Sequence, residues 1–307
     1  MALPEGTSIN GNTMNSQPPV RLSREPDLLG ESPVWDAEHQ CLFWIDSIRA
    51  IVHCYTPATG KLRDLKMPSL VGSVGLAEDN RLVVGLTDGV YLVEIDTGAI
   101  EPIFQLSPAN PRVRFNDGRV DRQGRFVTGT MATLEDEPLG ELYRISGKDG
   151  RAELLANGIR ITNSLCFTAE GDAMFFSDSL DRMVRKYAYG AEINELGRPE
   201  VCINTAPFES SPDGAAIDSQ GFVWVALVQQ GKIARFDPEG RLDAMIDTPT
   251  DMPSSVAFGG KDMTTLFVTS IKSTESGRGI SRHPDAGHLF AIENIGVKGV
   301  PEPRFRL

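Results

Sequence analysis

The sequence is short of the residues on which several function classes depend. Its four cysteines, Cys41, Cys54, Cys166 and Cys202, form no C-x-x-C pair, so neither a dithiol redox motif nor a cysteine-rich metal site is indicated. Cys41 and Cys166 fall in apolar, strand-like runs, and this usage suits free, buried thiols in a reducing cytoplasmic compartment. Histidine is equally sparse. His39, His53, His283 and His288 belong to no H-E-x-x-H pattern, and the chain has neither a nucleophile elbow nor a phosphate loop; a histidine zinc site and a Ser-His-Asp triad are set aside. Basic charge is also scarce, with 30 Lys and Arg against 42 Asp and Glu, a formal net charge of -12. Nucleic-acid binding needs a basic surface that releases phosphate counterions, so nucleic acid is not an expected partner. An anionic membrane surface is excluded on the same ground, and the acidic excess reads as solubility. No apolar run approaches the ~20 residues that span a bilayer. Residues 1–19 lack the basic and apolar regions of a secretory signal and read as a flexible lead-in.

Turn formers are plentiful. Thirty glycines and 20 prolines are spread along the chain, and no segment keeps a long 3.6-residue periodicity, which removes helical bundles and Rossmann folds. One pattern recurs six times: a short apolar strand, a polar turn, and a second, more apolar strand, as in S-P-V-W-D-A-E-H-Q-C-L-F-W-I-D at 32–46. The residues opening the turns are Asp36, Ala77, Asp121, Thr168, Asp218 and Gly259, spaced by 41, 44, 47, 50 and 41 residues. A second hairpin follows most copies, for example D-P-E-G at 237–240. Four-stranded units of ~40–50 residues are β-propeller blades. The expected fold is all-β: a six-bladed β-propeller over residues 20–307, closed by strand-like segments near the termini at Val20–Arg24 and Arg304–Leu307. Trp35, Trp44 and Trp224 are expected in the core between blades.

In a propeller the first residues of each innermost strand meet at one end of the central channel. Counting back five from each turn residue gives Glu31, Gly72, Asn116, Asn163, Asp213 and Ser254. Taken singly, N-D-G at 116–118 and P-D-G at 212–214 are routine turn sequences. Together the ring offers two carboxylates and two carboxamides in one narrow mouth. Facing carboxylates repel, and burial raises the cost. A cation between them reverses that, and an all-oxygen donor set selects a hard one: Ca²⁺, Mg²⁺ or Mn²⁺, with Zn²⁺ possible. Asp46 and Asp178 end equivalent second strands in I-D-S and S-D-S, as partners of this site or as strand-end caps.

These residues carry a resemblance. G-E-S-P-V-W at 30–35, R-F-N-D-G-R-V-D at 114–121, G-T-M at 129–131, I-T-N-S-L at 161–165, S-P-D-G at 211–214, F-V-W-V-A at 222–226 and F-G-G at 258–260 are similar to the regucalcin/gluconolactonase/luciferin-regenerating-enzyme family, in order, from about Val20 to about Gly299. The resemblance implies a six-bladed propeller and one divalent metal held by Glu31, Asn163 and Asp213. It also implies substrate contacts from Arg114 and Asn116, and Asp213 as general base. The implied reaction is hydrolysis of a sugar lactone to the aldonic acid by metal-activated water, at a polar mouth covered by loops such as 131–140. Two departures stand out. Ser164 replaces the glycine usual after the metal asparagine. The position three residues after G-T-M, acidic in some relatives, is Leu134 here, with Glu135 beside it. The alternatives are a phosphotriesterase-like hydrolase, which an aromatic and apolar pocket favours, and a non-enzymatic calcium-binding propeller.

Overall fold

The computed structural model describes residues 12–13, 18–134, 137–193, 195–274, 276–277 and 279–307. They form a six-bladed β-propeller of antiparallel four-stranded sheets, one of which gains a fifth strand. The innermost strands are Gly30–Asp36, Val71–Ala77, Val113–Val120, Thr162–Phe167, Ser211–Ile217 and Pro253–Gly259, here assigned to blades 1 to 6. Each turn residue of the repeat stands at the end of its inner strand or just beyond it. The aspartates there fix the hairpins locally. The Oδ1 atoms of Asp36, Asp121 and Asp218 each accept two backbone N–H bonds from the turn that follows, the Asx geometry that makes such turns cheap.

Packing lies between blades, because each sheet is apolar on both faces. Trp35 of blade 1 stacks on Phe267 of blade 6, and Trp224 of blade 5 meets Phe258 of blade 6 edge-on. All three tryptophans are buried, as expected. The four cysteines are free; Cys41 and Cys166 are buried, while Cys202 is exposed.

The ring closes through the N-terminal side. Val20–Arg21 pairs with Phe290–Ile292 as the outermost strand of blade 6. Of the expected lead-in, Asn12–Thr13 runs parallel to Leu242–Asp247 at the edge of blade 5; residues 1–11 and 14–17 lie outside the described residues. The C-terminal segment does something other than complete a blade. It crosses one end of the channel: Gly299 bridges Asp218, Glu302 pairs with Arg119, and Phe305 bridges Ala77. Phe305 is fully buried between blades 2 and 3. Among the described residues no helix is long and apolar enough to cross a membrane.

Candidate active site at the channel mouth

Every inner strand breaks register at the same place. The shifts fall between Glu31 and Val34, Val71 and Ser73, Phe115 and Gly118, Asn163 and Cys166, Pro212 and Ala215, and Pro253 and Val256. A bulge bends the strand and re-aims a side chain, and here six bulges coincide with the six ring positions. N-D-G and P-D-G are therefore not turns; both lie inside inner strands. The ring then divides. Glu31, Asn116, Asn163 and Asp213 line one cavity of about 240 Å³. Gly72 and Ser254 serve the seams: a Cβ on Gly72 would lie 2.5 Å from the Phe115 carbonyl oxygen, and Ser254 Oγ donates to the Gly30 carbonyl.

Neighbouring groups fix the orientation of the carboxamides. Ser179 Oγ donates to the Pro212 carbonyl at 2.8 Å, so it accepts from Asn163 Nδ2, also at 2.8 Å. That commits the nitrogen end of Asn163 and leaves Oδ1 as its acceptor end, which Asn116 Nδ2 approaches at 3.4 Å. Asn116 Nδ2 also donates to the Thr162 carbonyl at 2.9 Å, and its Oδ1 accepts from Arg114 Nη1 at 2.8 Å. Arg114 is buried and gives a further bond to the Phe115 carbonyl. Ser164, at the bulge beside Asn163, adopts φ 58°. A side chain in this left-handed region costs ~1–2 kcal/mol, and Ser164 Oγ donates to the Asp213 carbonyl, joining the strands that carry Asn163 and Asp213 as a glycine could not. Asp178 accepts backbone bonds from Arg160, Ile161 and Leu180, and Asp46 from Leu28 and Arg49. Both are strand-end caps.

The electrostatics of the mouth are strained. Burial, then repulsion from Asp213 and Asp117, raises Glu31 well above the usual carboxylate range. Burial also raises Asp117, against the opposing pull of Arg119 and of the backbone N–H groups of Leu165 and Gly118. A cation at the mouth relieves this repulsion, and the donor atoms of Glu31, Asn163 and Asp213 are oxygens suited to a hard one. Elsewhere among the described residues, Asp36, Glu38 and His39 bring possible ligand atoms within 4.8 Å of one another. There Arg304 Nη2 already lies 2.7 Å from both Asp36 oxygens and 3.0 Å from Glu38.

The walls differ from the expected polar mouth. Leu29, Met252 and Ile271 form a buried apolar cluster of their own, with Val228 packed against it, and all four line the cavity, as do Met131, Ile161 and Leu180. No lining residue among those described is aromatic. Leu134 is 61% exposed, and Glu135 lies outside the described residues. Sequence reasoning missed Ser179 and the aliphatic wall. The serine following Asp178 in S-D-S was the available signal for Ser179. The wall carries none, because its members come from loops and strand ends far apart in the chain.

A family model described as the SMP-30/gluconolactonase/LRE-like region matches residues 29–272, and the chain belongs to that family. It is 33% identical over 286 residues to 6-deoxy-6-sulfogluconolactonase of Pseudomonas putida, covering 92% of this chain and 96% of the relative. It is 32% identical to regucalcin of Gallus gallus, covering 89% and 93%. Among solved structures, the calcium-binding protein regucalcin of Agrobacterium tumefaciens superposes with a TM-score of 0.86 at 28% identity, covering 94% and 97%. A luciferin-regenerating enzyme superposes with a TM-score of 0.84 at 29% identity, covering 92% and 97%.

Proposed function

We propose that the protein is a divalent-metal-dependent lactonase that opens a sugar lactone to its aldonic acid, in the cytoplasm, with residues 20–307 acting as one domain. The observation that carries this is the convergence of Glu31, Asn163 and Asp213 with Arg114 in one cavity. The relative 6-deoxy-6-sulfogluconolactonase supports the substrate class, and the calcium-binding protein regucalcin supports the use of a cation.

Glu31, Asn163 and Asp213 are the proposed ligands. Repulsion among the mouth carboxylates and the committed nitrogen of Asn163 both fit a cation there. When bound, a divalent cation supplies a Lewis acid for the ester carbonyl and lowers the pKa of water. Asp213 then accepts the proton of the attacking water at its carboxylate. The water oxygen bonds to the carbonyl carbon, the ring C–O bond breaks, and the proton passes on to the departing ring oxygen. Arg114 presents guanidinium donors to the lactone oxygens. Asn116, bonded to both Arg114 and Asn163, holds the substrate-binding and ligand sides in register and contacts the ring hydroxyls. The absence of aromatic side chains from the described lining weighs against the phosphotriester alternative.

A panel of aldonolactones followed with a pH indicator, with and without chelator, tests the reading. Hydrolysis that chelator abolishes and added Ca²⁺, Mg²⁺, Mn²⁺ or Zn²⁺ restores is expected. Turnover that survives exhaustive chelation removes the metal from the mechanism, and no turnover of any lactone removes the reaction.

A further inference from the structure

The cavity has two chemically different sides. Its floor carries Glu31, Asn116, Asn163 and Asp213, which suit the polar edge of a lactone ring. The seams joining blades 5, 6 and 1 supply the other side. Leu29 bridges Ile271 across the blade 1 and blade 6 seam, and Ile271 N–H donates to the Met252 carbonyl. With Val228, these side chains make a continuous apolar wall separate from the cores between blades. Further aliphatic side chains lie at the cavity or beside it. Leu180 lines the cavity while 44% exposed, and Ile280, next to the lining Gly279, is 63% exposed. Among the described lining residues Arg114 is the one cation, and it sits on the floor, bonded to Phe115 and Asn116.

We propose that the substrate is a neutral lactone whose exocyclic carbon is apolar, a deoxygenated or alkyl-bearing sugar lactone, with that carbon against the wall of Leu29, Val228, Met252 and Ile271 and under Leu180. The inference rests on the lactonase reading and narrows it. A hydroxymethyl group placed against these aliphatic side chains loses hydrogen bonds to water that they cannot replace; Gln229 and Thr274 also line the cavity, and the preference requires that the substituent sit away from them. A phosphate or sulfonate loses far more, since burying an unpaired charge is costly.

Three lactones differing at a single carbon test this: glucono-δ-lactone, its 6-deoxy analogue and its 6-phosphate, assayed on the metal-supplemented protein. The 6-deoxy compound is expected to have the highest kcat/KM, about tenfold or more above the parent, within the ~10²-fold by which an apolar pocket discriminates against an added hydroxyl. The phosphate is expected to be slowest. The partly exposed wall positions allow variants that still fold. Leu180→Asn and Val228→Thr should each shrink the ratio of deoxy to parent by about threefold or more, from loss of roughly one buried methylene's worth of contact. Hydrolysis of the parent or the phosphate as fast as the deoxy compound overturns the inference and leaves the lactonase reading standing. A deoxy preference unchanged in both variants also overturns it, because another surface then holds the substituent. Hydrolysis of none of the three overturns the reading and the inference together.

Discussion

The two ends of the channel bury the same residue types and treat them in opposite ways. At the end crossed by the C-terminal segment, burial opposes the charge on Asp36. Bonds from His39 and Arg304 overcome that and hold its carboxyl below the usual range. Arg119 reaches the carbonyls of Pro33, Leu165 and Ala215 and pairs with Glu302, tying blade 3 to blades 1, 4 and 5. At the mouth, burial and mutual repulsion raise Glu31 instead. One end is satisfied by the protein's own cations; at the other Arg114 pulls Glu31 down, but burial and the neighbouring carboxylates outweigh it. Local electrostatic rules are broken in proteins chiefly at functional or strained sites, and the contrast supports placing the proposed active site at the mouth.

The sharpest way to break the comparison is to damage the closed end. Phe305→Ala removes a fully buried aromatic ring and should cost ~3–5 kcal/mol of stability, read by denaturant unfolding, with kcat/KM of the surviving folded fraction close to normal. A large loss of kcat/KM in that fraction would mean that the two ends are coupled. At the mouth, Asp213→Asn keeps an oxygen for the proposed metal and removes the proposed proton acceptor. It should lose at least about 10²-fold in kcat while calorimetry still detects metal binding. Near-normal kcat would assign the base elsewhere.

Glu31→Gln separates stability from function at one atom. Because the native mouth disfavours the charged form of Glu31, the variant should melt higher than wild type in chelator. A gain of about 1 kcal/mol would appear as roughly 1.5 °C in Tm. It should also bind the metal more weakly. A lower Tm in chelator would show that the glutamate is satisfied without a cation. The smallest expected effect lies away from both ends. His53 stands between Asp27 and Asp64 at 3.0 and 2.7 Å. Burial lowers its pKa, but the two carboxylates win and the net shift is upward. A raised histidine contributes stability that is complete below its unfolded value of about 6.5 and is lost as pH rises through the folded value. Thermal stability should therefore fall from about pH 6 toward pH 8, and His53→Gln should flatten that slope.

The six-fold repeat is a local property. Apolar alternation and the Asx turns of Asp36, Asp121 and Asp218 act within a few residues, so blade number and the ring of Glu31, Asn116, Asn163 and Asp213 could be read from the amino-acid order alone. Tertiary structure decided what that order could not encode at short range. It placed N-D-G and P-D-G in bulged strands rather than turns, because neighbouring inner strands crowd the channel. It sent residues 299–307 across the far end, where Phe305 finds a gap between blades 2 and 3. It turned Asn163 through Ser179, a residue sixteen positions away, and it gathered Leu29, Val228, Met252 and Ile271 into one wall. The bulges and the Asn163–Ser179 bond form within single hairpins, whereas the wall and the seat of Phe305 need surfaces of several blades, since burial is a property of the assembled ring and not of any one segment.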